Sequence, residues 1–64
     1  MIRVNGHDED YQAETVDALI ARLGIDPRGI AVAVDGEVVR RSDWSATLVA
    51  DGARVEIVTA AAGG

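Results

Sequence analysis

The chain has 64 residues, with eleven acidic side chains against six basic ones and a formal net charge of −5. That length holds one small domain and excludes the large dinucleotide-binding and barrel folds of many enzymes; a basic stripe or aromatic platforms for nucleic acid are equally missing. There is no Cys and eleven of the apolar residues are Ala, so Val, Ile and Leu must build the core without disulfides or thiolate metal sites.

Ile2 and Val4 alternate with Arg3, the period of a strand with one buried face. Asn5-Gly6 follows, a dipeptide suited to the two positive φ values of a tight hairpin turn. The return stretch 7–13 is polar and predicts a short edge strand, where Asp8, Glu9 and Asp10 discourage edge-to-edge pairing. Val16, Leu19, Ile20 and Leu23 then form one apolar stripe at helical spacing. Thr15 is placed to cap that helix, Asp17 and Arg22 suit its dipole, Gly24 ends it, and Pro27 lies beyond. So short a helix needs a sheet to pack on.

The second half supplies the sheet. Ile30, Val32 and Val34 alternate with Ala31 and Ala33, and Asp35-Gly36 turns the chain into Glu37-Val38-Val39. The stretch 40–50 is less regular, with a short helical turn at Ser42-Asp43-Trp44 and Leu48 as a second anchor. Asp51-Gly52 turns again, and 54–58 gives a last strand with Val55 and Ile57 inward. The pattern predicts an α+β roll, one helix across one face of a mixed sheet of four to five strands. It occupies residues 1–58 as a single domain, with a flexible tail over 59–64.

Few residues offer chemistry. His7 is the one histidine and sits beside a turn, where it reads either as a solvated polar residue or as a candidate base. Asp8, Glu9 and Asp10 read as a solvated loop or as carboxylates for a metal that lack ligands spaced elsewhere. Trp44 is a packing anchor or a binding hot spot. Arg40 and Arg41 are a solvated pair or a contact for an anionic group on a partner. The set argues against an enzyme.

The tail is more informative. Thr59-Ala60-Ala61-Ala62-Gly63-Gly64 contains only small residues and ends in two glycines. Glycine lacks a Cβ, so such an end can thread a narrow channel, and six extended residues reach ~20 Å. A frayed terminus is the plain alternative.

Three stretches now carry a resemblance that covers nearly the whole chain: Thr15–Ile20, Val34–Trp44, and Asp51–Val58 leading to Gly63-Gly64. In them the sequence resembles the ubiquitin-like β-grasp proteins, and among these the ThiS family of bacterial sulfur carriers in thiamine thiazole synthesis. That family typically shows a valine, asparagine, glycine turn, then valine, proline, arginine and, three on, tryptophan. Here Asp35 replaces the usual Asn, Arg40 the usual Pro, and Ala53 a frequent Asp, at positions expected to be turn or surface.

The resemblance implies a carrier, not a catalyst. An ATP-dependent enzyme of the ubiquitin-activating type would adenylate Gly64, a persulfide from a sulfur donor protein would displace AMP, and the terminal thiocarboxylate would feed thiazole synthase. Gly63 and Ala62 would be the slender approach to Gly64. ATP and Mg would belong to the activating enzyme, with no cofactor bound by this chain. In the expected register Ala31, Ala33 and Val58 point away from the helix beside Arg54 and Glu56, a small apolar patch with a charged rim suited to partner docking. No apolar run reaches the length of a membrane span and the N-terminus lacks a signal-peptide layout, so the expected address is cytoplasmic, without membrane or nucleic-acid partners. A carrier of the same fold for molybdopterin or another pathway, and a non-reacting ubiquitin-like interaction domain, are the alternatives.

Overall fold

The hairpin turns fall where the asparagine–glycine and aspartate–glycine pairs place them. In the computed structural model, which describes residues 1–11 and 14–59, Asn5 and Asp35 take φ of 50° and 52°, followed by Gly6 at 83° and Gly36 at 84°. Two successive positive φ values define the turn whose twist matches paired strands, and glycine meets the second at no steric cost. The first turn joins β1 (Ile2–Val4) to β2 (His7–Glu9), and the second joins β4 (Ile30–Val34) to β5 (Glu37–Val39). A short strand β3 (Glu14–Thr15) leads directly into helix α1 (Val16–Leu23). A 3₁₀ helix (Arg41–Ala46), strand β6 (Leu48–Val49) and the final strand β7 (Arg54–Thr59) complete the described chain.

The main sheet has five strands in the order β2-β1-β7-β4-β5. The last strand enters between the two hairpins, parallel to β1 with Val4 opposite Val55, and antiparallel to β4 with Val32 opposite Ile57. This mixed sheet with one main helix is the α+β roll that the alternating pattern and helical stripe predict, in the β-grasp arrangement that the resemblance implies. Ile2, Val4, Val32, Val55 and Ile57 turn to the helix side and are buried with Val16, Leu19 and Ile20. Leu19 sits on the helix face that meets the sheet, and burying such a side chain contributes about 1.5–3 kcal/mol. Thr15 caps α1 as expected, its hydroxyl accepting from the Ala18 N–H at 3.1 Å. Gly24 ends it, donating its N–H to the Ala21 carbonyl at 3.1 Å.

Several expectations need correction. Leu48 is no anchor: it is 71% exposed, while its neighbour Val49 is buried. The cause is a second, two-stranded ribbon in which β6 pairs with β3, Leu48 opposite Thr15 and Val49 opposite Glu14. Alternation along β6 then turns Val49 inward and Leu48 outward. Ala53 is not a surface position either, being 4% exposed. Its carbonyl accepts the Arg3 N–H at 3.0 Å, and burial of this kind disfavours a charged carboxylate. The edge strand predicted over 7–13 is confined to His7–Glu9, with residues 12 and 13 outside the described residues. The last strand continues through Thr59, opposite Ile30, one residue past the expected boundary.

Candidate functional site

The helix covers one face of the sheet and leaves the other open. Register places Ala33 opposite both Glu56 on β7 and Val38 on β5, and Ala31 opposite Val58. These side chains alternate with buried Val32, Val55 and Ile57, so they share the face away from α1. Together with Val32 they bound a shallow depression of about 210 Å³. Val38 is 70% exposed and Val58 59% exposed, which is unusual for two valines on one patch. Small alanines between them keep the centre flat.

Charge lines one end of this face. Arg3 stands opposite Arg54 across the parallel pair and opposite Asp8 across the hairpin. The Arg3 Nε donates to Asp8 Oδ1 at 3.1 Å. Arg54 has no ion pair among the described residues, although its backbone N–H donates to Asp35 Oδ1 at 2.9 Å. Like charges directly across a ladder repel, so the pair gains if a partner's acidic group approaches. That same Asp35 bond ties the β4–β5 turn to β7, a use for the carboxylate where asparagine is the more usual residue.

Five expected docking residues, Ala31, Ala33, Arg54, Glu56 and Val58, therefore lie on one continuous surface. Sequence reading missed Val38. Its signal was the two-residue turn at Asp35-Gly36, which fixes Val38 opposite Ala33 and hence on the same face. Ala62, Gly63 and Gly64 lie outside the described residues. Thr59, the last described residue, closes the strand that carries Glu56 and Val58, so the open face and the departing chain share one element.

The remaining candidates are accounted for structurally. Trp44 is 2% exposed and its Nε1–H donates to the Val39 carbonyl at 3.0 Å, making it a packing anchor that also covers the end of edge strand β5. The Arg41 guanidinium lies 5.0 Å from the Trp44 ring, and its Nη1 donates to the Pro27 carbonyl at 3.4 Å. Arg40 stays exposed beside Asp35, Glu37 and Asp43 around a broad surface depression. His7 is exposed on edge strand β2, and among the described residues no three His, Cys, Asp or Glu side chains converge. Shifted pKa values fall on ion pairs away from the open face. The N-terminal ammonium beside Asp51 lowers that carboxyl's pKa, Arg28 lowers that of Asp26, and the Glu14 carboxylate raises that of Arg22. Shifts with such ordinary partners mark surface ion pairs, not a poised acid or base.

Comparison with known proteins agrees with the fold. The model of the ThiS family matches residues 2–64. A thiazole synthase of Paramagnetospirillum magneticum is 39% identical over 62 residues, 95% of this chain and 19% of that protein. The chain thus spans about a fifth of the length of the curated relative it matches. Among solved structures, the crystal structure of the thiamine biosynthesis protein ThiS from Geobacter metallireducens superposes with a TM-score of 0.79 at 29% identity, covering 91% of this chain and 90% of that one. A solution structure of a thiamine biosynthesis protein from Geobacter metallireducens gives 0.73 at 30% identity, over 89% and 78%.

Proposed function

We propose that this chain, which belongs to the ThiS family, is a sulfur carrier of thiamine biosynthesis that works through the carboxyl group of Gly64. The observation that carries the reading is the family match itself, which runs through Gly63 and Gly64 to residue 64. A carboxylate is a poor electrophile, so it needs a leaving group before sulfur can replace its oxygen. On this reading the Gly64 carboxylate attacks the α-phosphorus of ATP and pyrophosphate departs, giving an acyl adenylate. The terminal sulfur of a protein persulfide then attacks the acyl carbon and AMP leaves. Cleavage of the resulting acyl disulfide by a thiol leaves the thiocarboxylate, whose sulfur passes to thiazole synthase. The sulfur nucleophile, ATP and Mg all belong to partner proteins of the ubiquitin-activating and sulfur-donor types. This chain supplies the acyl group and the surface that presents it.

Each part of the molecule has a place in that scheme. Gly63 and Ala62 add little bulk behind the reacting carbon, so a narrow active site can close around them. The open face carrying Ala31, Ala33, Val58, Arg54 and Glu56 is the docking surface, with Val38 added to it. A thiazole synthase that contains a stretch similar to this chain supports thiazole synthase as the recipient, since donor and acceptor within one polypeptide meet at high effective concentration. The scheme runs in the cytoplasm, where ATP and persulfide donors are at hand.

Intact-mass analysis of the protein purified from its own cells tests the chemistry. The expected species ends at Gly64 and is heavier by the difference between one sulfur and one oxygen, with the change confined to the C-terminal fragment. A mature protein extending past Gly64, or one never modified there during thiamine synthesis, sinks the proposal. The docking face has its own test. Ala33→Arg places a bulky charge at the centre of the patch, opposite Glu56, and keeps the melting temperature. It lowers kcat/KM for adenylation by about tenfold, the effect of losing ~1.4 kcal/mol of binding. Normal activation of the folded variant rules that face out.

A further inference from the structure

Strands β1 and β7 run parallel, and their register ends with Val4 opposite Val55, where the chain turns at Asn5. The Asn5 N–H donates to the Val55 carbonyl at 2.9 Å. Two residues further along, no strand among the described residues lies beside β7 on that edge. The Asn5 side chain occupies the gap. Its Nδ2 donates to the Ile57 carbonyl at 3.1 Å, and its Oδ1 accepts from the Ile57 N–H at 2.8 Å. One side-chain amide therefore offers the donor and acceptor that a neighbouring peptide group would offer, and it satisfies both main-chain groups of Ile57. On the other edge β4 holds β7 up to Ile30 opposite Thr59.

The residue type matters. Aspartate has no donor for the Ile57 carbonyl, and glutamine places its amide one methylene too far out. Asparagine is also among the few side chains that tolerate the left-handed φ of 50° required by the turn. A single residue thus makes the β1–β2 hairpin and fastens the strand that ends nearest the tail.

We infer that Asn5 is a positioning residue for the carrier reaction: it extends the sheet edge by one side-chain amide so that β7 stays fixed up to the point where the tail toward Gly64 departs. The inference rests on the Gly64 reading given above. A reacting group on a tether is presented at a local concentration that falls as the mobile segment lengthens and its root loosens. Small misplacements of a reacting atom carry large costs in rate. Releasing one edge of β7 at Ile57 loosens the strand from which the tail departs, while β4 still holds Glu56 and Val58 of the docking face opposite Ala33 and Ala31. The consequence falls on turnover more than on binding.

Asn5→Gly tests this, because glycine keeps the turn and removes the amide. Hydrogen exchange at the Ile57 N–H is expected to speed up about tenfold or more relative to Glu56 and Val58, whose amides face β4. With the cognate activating enzyme, kcat for pyrophosphate release is expected to fall about threefold or more, while KM stays within about twofold. Asn5→Asp retains the acceptor and loses the donor, so its kcat relative to the unsubstituted chain recovers as pH falls and the new carboxyl gains a proton to donate. A merely structural role leaves kcat unmoved below the melting transition and gives no such pH profile. Unchanged exchange at Ile57 overturns the clamp, and accelerated exchange with unchanged kcat overturns its positioning role. An unsubstituted chain that is never adenylated removes the Gly64 reading, and exchange at Ile57 then decides the clamp alone.

Discussion

Removing Gly63 and Gly64 is expected to abolish adenylate and thiocarboxylate formation while leaving the melting temperature within ~2 °C of the full chain. Among the described residues every buried core residue lies between Ile2 and Ile57, and neither deleted glycine carries a side chain whose apolar burial could be lost. The deletion does move the terminal carboxylate back along the chain by about 7 Å in extended geometry. An in-line attack on a phosphorus atom tolerates far less, since a misplacement of ~1 Å already costs about 100-fold. ATP-dependent pyrophosphate release with the cognate activating enzyme should therefore fall below detection, and the truncated chain should not regain it at higher concentration. Gly64→Ala separates position from bulk, because it keeps the carboxylate in place and adds one methyl group beside it. Its activity should be reduced but measurable. If the truncated chain still supports sulfur transfer, the body acts as a passive interaction domain and Gly64 has no chemical role.

The sheet-forming half of the molecule was legible because its signals are local. Asn5-Gly6 and Asp35-Gly36 each specify a turn within two residues, and each turn fixes the register of the strands around it. The helix was legible for the same reason, with stripe, Thr15 cap and Gly24 end all within ten positions. What escaped was set by distant partners. The β3–β6 ribbon joins Glu14-Thr15 to Leu48-Val49, pairs too short for a periodic pattern, so Leu48 looked like an anchor when Val49 is the buried residue. Ala53 has small size and a turn for a neighbour, and only its burial in the folded chain, where its carbonyl pairs with Arg3 of β1, shows that it is core. The open face could be drawn in part from alternation along β4 and β7. Val38 joined it only through pairing with Ala33. The clamp at Asn5 was invisible as such: the dipeptide announces a turn, and nothing local says that its amide will reach Ile57.

Trp44→Ala is expected to cost about 3–5 kcal/mol of stability, the range for deleting a buried large aromatic side chain. A domain of this size holds only ~3–10 kcal/mol in total, so the variant should be substantially unfolded near 37 °C. Trp44 lies in the 3₁₀ helix between β5 and β6, is 2% exposed, and packs into the same core as Leu19 and Ile20. That link is the means by which the irregular stretch after β5 stays attached to the roll. Circular dichroism and urea titration measure the loss, and Trp44→Phe divides it. Phenylalanine keeps most of the apolar volume but cannot donate to the Val39 carbonyl, so its cost should be about 1–2 kcal/mol, one hydrogen bond plus a small void. Arg41→Ala removes the cation above the ring and should cost no more than ~1 kcal/mol. The ordering of the three variants matters more than any one value, because a hot-spot tryptophan behaves in the opposite way. Were Trp44 a partner contact, Trp44→Ala would keep its stability and lose activation by the partner enzyme, with Trp44→Phe intermediate in binding instead of in folding. Full stability in Trp44→Ala would therefore return the tryptophan to the list of interface residues and leave the 3₁₀ helix without its anchor.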